Sequence, residues 1–243
     1  MQWLRSLILV FLVYLLMAVI GIVGAPVVLW KPTWTLSWMK FYARSALALT
    51  RWLCNLRVER RGPVPSSAVV VASKHQSFLD VLVLCAILPE PRFVMKRSLI
   101  WAPVLGLYAL RSGCIWIKRE KRGEGKTMLR RLENRNKGSG QIVIYPQGTR
   151  VPPGEVRPYR RGAVLAYESF GLPLGLAATN VGWFWPKRGI IRHPGTAVLE
   201  FLETLPPGLP RAEAIQRMET VIEAASDRLG EEAAKQLGAG AAG

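Results

Sequence analysis

Between Leu7 and Trp30 the chain runs for 24 residues without a charged side chain. About 20 apolar residues suffice to cross the hydrocarbon core of a bilayer. The amino-terminal end is therefore expected to engage a membrane, while the rest of the chain builds a soluble core. Arg5 precedes the run, and Lys31, Lys40, Arg44 and Arg51 follow it. That asymmetry points to an inner or cytoplasmic membrane with the bulk of the protein on its cytoplasmic face. A cleaved signal has a shorter apolar centre, although "GIVGAP" offers a small-residue cleavage site. The run either spans the bilayer or enters one leaflet as half of a helical hairpin broken at Pro26 and Pro32.

The next stretch, "TWTLSWMKFYARSALALTRWLC", sets Trp34, Trp38 and Phe41 at helical spacing among Lys40, Arg44 and Arg51. Such a helix suits the headgroup region, where rings and cations each find a favourable solvent, and equally suits packing against a domain. The whole chain is half hydrophobic, with 33 Lys and Arg against 16 Asp and Glu. Apolar and basic character together point to a membrane at least as readily as to nucleic acid, and no nucleic-acid-binding motif is present. Cys54, Cys85 and Cys114 are too scattered to frame disulfides or a zinc site and read as small core residues of a reducing compartment.

Beyond Arg61-Gly62-Pro63 the pattern changes to alternating strands and helices. Strands are expected at 68–72, 92–95, 113–117, 141–145, 172–179 and 196–202, and helices at 78–88, 125–136, 163–170 and 211–228. This alternation implies an α/β fold with a mixed, largely parallel sheet flanked by helices. The division is an anchoring helical region at 1–57, a domain at 58–230 and a disordered tail at 231–243 that ends in "GAGAAG".

"VVVASKHQSFLDVLVLC" places one of only two histidines at the junction of two apolar runs. Five residues on one helix lie about 140° out of phase, so His75 and Asp80 meet only if the histidine precedes the helix. Ser77 as N-cap with Asp80 three residues later is a capping-box arrangement, which starts the helix at Phe78. Asp80 thus serves equally as a helix-capping acid or as the carboxylate that orients a basic imidazole. Residues 111–161 hold 14 Lys and Arg against 4 Glu. Two strands there end in Lys118-Arg119 and in "YPQGTR", and cations at strand ends beside a glycine suit a phosphate site, whereas the other basic runs fit a solvated face or anionic lipid headgroups. Neither Ser77 nor Cys85 sits in an oxyanion motif, which favours direct attack by a substrate hydroxyl.

These blocks resemble, in order and spacing, those of the glycerolipid acyltransferase family. "HQSFLD" is similar to its H-x-x-x-x-D motif, "GCIWIKR" to its second block, "YPQGTR" to F-P-E-G-T-R, "YRRGA" to F-K-x-G-A and "GLPLGLAATN" to V-P-I-V-P-V-A, over roughly residues 60–205. Gln147 departs from the usual glutamate, leaving the pocket one unit more positive, and Leu176 departs from the second proline. The resemblance implies transfer of a fatty acyl group from acyl-CoA or acyl-carrier protein to the sn-2 hydroxyl of 1-acylglycerol 3-phosphate. It implies His75 and Asp80 as catalytic residues and Arg119, Gly148, Thr149 and Arg150 at the acceptor phosphate. Gln147, Arg160 and Pro173 follow as supporting residues. No metal or other cofactor is implied beyond the thioester co-substrate, and the partners are lysophospholipid, acyl thioester and membrane lipids. Another lysolipid, such as lyso-ornithine lipid, is the alternative acceptor. A non-catalytic basic membrane-binding protein is the alternative of a different kind.

Overall fold

The computed structural model describes residues 1–117, 127–131 and 140–241. The chain opens with α1 (Gln2–Trp30), a 3-10 turn (Pro32–Trp34) and α2 (Thr35–Cys54). β1 (Leu56–Arg61), β2 (Val69–Ser73), α3 (Leu79–Ile87) and β3 (Pro91–Lys96) follow. A 3-10 segment (Arg97–Trp101) leads to α4 (Leu105–Arg111), β4 (Ile115–Ile117) and β5 (Gln141–Ile144). The chain closes with α5 (Gly162–Phe170), β6 (Leu174–Thr179), α6 (Val181–Phe184), β7 (Gly195–Leu205) and α7 (Arg211–Ala241).

Among the described residues, seven strands form one sheet in the order β1-β7-β6-β2-β5-β3-β4. All pairings are parallel except that of β6 with β7, which is antiparallel. The mixed, largely parallel α/β sheet is thus the one expected. β2 is flanked by β5 and β6 and buried along its length, so it reads as a continuous apolar run. Its residues alternate between two cores. Val69 and Val71 face a cluster that includes Leu79, Val83, Ala43 and Leu9 of the first three helices. Val70 and Ala72 face one that includes Val164 and Tyr167 of α5 and Met218 and Ile222 of α7.

The sequence gives no sign of β1, because "LRVERR" carries four charges. It forms by pairing with β7 at the sheet edge, where alternate side chains point to solvent and charge is tolerated. Of the helix expected at 125–136, residues 127–131 are helical and the rest lie outside the described residues. The disordered tail expected from residue 231 is instead helix through Ala241. The apolar stripe of α7 simply continues: Leu229 and Ala233 are buried, and Leu237 packs on the core.

α1 passes through Pro26 unbroken and ends at Lys31, so the turn of the hairpin falls at Pro32–Trp34. α2 returns antiparallel, bringing the Gln2 amide to the Cys54 carbonyl. α1 is tied to the domain near both ends. Gln2 donates to the Arg192 carbonyl at 2.6 Å, and the Tyr108 hydroxyl donates to the Gly21 carbonyl at 3.1 Å. The approach at Gly21 is so close that a Cβ there meets Val104 Cγ1 at 2.0 Å. The opposite face is apolar and open to solvent, with Phe11 64% and Ile22 66% exposed. A broad exposed apolar face marks a surface that another apolar phase covers.

Candidate active site

The carboxyl ends of β2, β5 and β6 lie side by side, and in open α/β sheets this rim is where ligands bind. β2 delivers the turn Lys74–Ser77, β5 delivers Tyr145–Arg150, and β6 delivers Asn180. The turn after β2 is fixed from several sides. Lys74 N–H donates to the Ala177 carbonyl, continuing the ladder one residue past the strand. The Val151 N–H donates to the His75 carbonyl at 2.8 Å. Gln76 Oε1 accepts from the Gly182 N–H at 2.9 Å, an approach that a Cβ on Gly182 would block, since it would lie 2.8 Å from Gln76 Cβ.

The two oxygens of Asp80 have different partners. Oδ2 accepts from the backbone N–H of Gln76 at 2.9 Å and of Ser77 at 2.8 Å, while Ser77 Oγ accepts from Leu79 N–H. The exchange resembles a capping box but sits one residue ahead of the helix, whose N-cap is Phe78 rather than the expected Ser77. Oδ1 lies 2.8 Å from His75 Nδ1. Asp80 is fully buried and, as a carboxylate, has no donor to offer, so the pairing requires the proton on Nδ1 and leaves the Nε2 lone pair as the basic position. The imidazole stacks on the Tyr145 ring, with centroids 3.8 Å apart and planes at 16°. His75 is 9% exposed.

The turn after β5 depends on Gly148, whose φ of +70° belongs to the left-handed region. Its N–H donates to the Tyr145 carbonyl at 2.9 Å, and a Cβ there would press on the Arg160 side chain at 3.2 Å. Arg160 is therefore brought against the glycine, and its own N–H holds the Pro146 carbonyl. Thr149 and Arg150 are half-buried. Lys187 Nζ holds the Arg150 carbonyl at 2.9 Å, and among the described residues the Arg150 guanidinium makes no ion pair.

Gln147 is buried and turns inward, its amide donating to the Arg157 carbonyl at 3.5 Å and to Glu223 Oε1 at 3.4 Å. Glu223, on α7, also accepts from the Tyr159 hydroxyl and from Lys74 Nζ. Burial first, and then this carboxylate, push the Tyr159 phenol well above the ordinary tyrosine range, so it remains a donor.

One expected site residue stands apart. Pro173 lies at the opposite end of β6 from the site; its carbonyl accepts from Val70, about 10 Å down β2 from Ser73 at the usual strand rise. Its place is in the sheet, since alternation fixes strands but not which end faces the ligand. Arg119 lies outside the described residues. Sequence reasoning missed the Tyr145 stack, which its place beside "PQGTR" could have suggested, and Glu223, for which no local signal exists.

The acyltransferase family model matches residues 55–175, a span that holds His75, Asp80 and the whole Tyr145–Arg150 turn. The 1-acyl-sn-glycerol-3-phosphate acyltransferase of Pseudomonas aeruginosa is 32% identical over 163 residues, 64% of this chain and 62% of that protein. The human 1-acyl-sn-glycerol-3-phosphate acyltransferase alpha is 34% identical over 125 residues, 49% of this chain and 44% of that protein. The matches thus span less than two thirds of the length of these curated relatives. Among solved structures, the 1-acyl-sn-glycerophosphate (LPA) acyltransferase PlsC from Thermotoga maritima superposes with a TM-score of 0.77. That superposition covers 94% of this chain and 98% of the other at 20% identity, a likeness of fold.

Proposed function

Since this chain belongs to the acyltransferase family, we propose that it transfers a fatty acyl group from a thioester to the sn-2 hydroxyl of 1-acylglycerol 3-phosphate, yielding phosphatidate. The observation that carries the reading is the buried His75–Asp80 pair, with one carboxylate oxygen consumed by the helix cap and the other aimed at Nδ1. Nε2 accepts the hydroxyl proton as that oxygen attacks the thioester carbonyl. Asp80 keeps the imidazole in the right tautomer and stabilises its cation. When the tetrahedral oxyanion collapses, the C–S bond breaks and the departing thiolate takes the proton back from Nε2. No oxidation state changes, so the step calls on no redox cofactor. Thr149 and Arg150, with Arg119 from the preceding block, receive the acceptor phosphate, and the backbone at Gly148 is free to approach it.

The exposed face of α1 supports attachment to a lipid surface. Because α1 is pinned to the domain at Gln2 and at Gly21, we favour a helix lying along one leaflet over one crossing the bilayer. The cations that follow the apolar run favour the cytoplasmic face of the inner membrane. The donor is acyl-CoA or acyl-carrier protein. The test is a panel of lysolipids, each offered with both donors to the purified full-length protein. Highest kcat/KM on 1-acylglycerol 3-phosphate is expected. A preference for lyso-ornithine lipid would overturn the acceptor, and no transfer to any lysolipid would overturn the enzyme in favour of a basic membrane-binding protein.

A further inference from the structure

The carboxylate of Glu223 draws together parts of the chain that are far apart in sequence. Lys74 Nζ donates to its two oxygens at 2.6 and 2.7 Å, Tyr159 at 2.7 Å and Gln147 at 3.4 Å. Lys74 is only 3% exposed, and this carboxylate is the partner its buried ammonium meets. Two of the donors flank the two stacked rings, His75 and Tyr145. Lys74 immediately precedes His75, and Gln147 stands two residues beyond Tyr145, the ring on which His75 stacks. A single carboxylate from the carboxy-terminal helix therefore ties both sides of the His75–Tyr145 stack.

We propose that Glu223 is a positioning residue for acyl transfer, clamping the Lys74–His75 turn to the Tyr145–Arg150 turn through Lys74 and Gln147; the inference rests on the acyltransferase reading above. The clamp also fixes what residue 147 can be. Its amide faces two acceptors, the Glu223 carboxylate and the Arg157 carbonyl. A glutamate there would set two carboxylates against each other in a buried place, whereas the glutamine donates to both. The negative charge that the turn after β5 lacks at position 147 is supplied by α7.

The test is a charge exchange in the full-length protein, assayed with 1-acylglycerol 3-phosphate and acyl-CoA, with thermal unfolding followed in parallel. Glu223→Gln and Gln147→Glu should each lower kcat about 10²-fold, as expected for a small misplacement of a catalytic group, with KM little changed. The double variant restores one carboxylate and one amide and should recover most of that loss. Losses that multiply in the double variant, or singles whose kcat falls only as their folded fraction falls, would overturn the proposal. The imidazole provides a second readout. With only two histidines in the chain, His75 is assigned by comparison with His75→Ala in nitrogen NMR. The protein should show one Nδ1–H tautomer that becomes mixed in Glu223→Gln and is restored in the double variant. If the unaltered protein transfers no acyl group, the activity reading falls, and the His75 signal alone then decides for or against the clamp.

Discussion

Replacing Asp80 with asparagine separates its two duties. The carboxylate accepts three hydrogen bonds, one from His75 and two from backbone N–H groups. An asparagine has one oxygen, and the two converging N–H groups hold it on their side. Its NH2 is then forced toward His75 Nδ1, which must become an acceptor. The ring proton moves to Nε2, and the base is lost. The wrong tautomer costs kcat about 10⁴-fold, or about 5.5 kcal/mol of barrier. Stability falls far less. Two backbone bonds pass from charge-assisted to neutral, about 1 kcal/mol each, partly offset because a neutral side chain is cheaper to bury. A net of about 1–2 kcal/mol corresponds to a Tm lower by roughly 2–8 °C for a chain of this size. The assay is thiol release from acyl-CoA at saturating acceptor, with tryptophan fluorescence following unfolding. A folded variant that keeps kcat within about tenfold would show that Asp80 only caps α3 and that the tautomer argument is wrong.

Arg150→Ala is expected to raise KM for the phosphate-bearing acceptor well above any change in KM for acyl-CoA; equal increases would reveal a diffuse basic surface. Burial pushes the Cys85 thiol up to about 12 from an ordinary value of 9.0, so its contribution to stability is intact below about pH 9 and is lost as pH rises toward 12. The native protein should therefore resist thiol alkylation at neutral pH and lose stability above about pH 9 more steeply than Cys85→Ala does; equal slopes would refute this. Salt alone should fail to release the full-length protein from vesicles, and Phe11→Asp with Ile22→Asp should weaken binding with little change in Tm, since both side chains are exposed; release by salt, or no effect of the pair, would mean that this face of α1 does not meet lipid.

The contact between His75 and Asp80 was legible because it is local. His75, Ser77 and Asp80 fall within one turn, and helix geometry plus capping chemistry decides where each can point. The central strands were legible for a similar reason, since β2, β5 and β6 bury both faces and read as apolar runs. β1 was not, because an edge strand is stabilised by its neighbour and leaves charge in view. Pro173 shows a different limit: its strand was correctly expected, but only the pairing of β6 with β2 shows that it lies at the end remote from His75. Glu223 shows the extreme case. It is one acid among several on an amphipathic helix, and only the packing of α7 against the sheet brings it to Lys74. The deviation at Gln147 was visible early, yet its explanation lay on that distant helix.

The pairing of β1 with β7 has a consequence for how the protein is made. Residues 56–61 leave the ribosome well before their partners, 195–200. At about 5–20 residues per second, β1 waits on the order of ten seconds for the strand that completes it. Through that interval the hydrophobic α1 is already outside the ribosome, and a lipid surface would cover its exposed apolar face. We therefore expect translation at the membrane to raise the yield of folded protein, and synthesis in a lipid-free extract to leave it insoluble even though the sheet lies outside the apolar helix. The last strands to pair would then close a molecule that is already at the membrane.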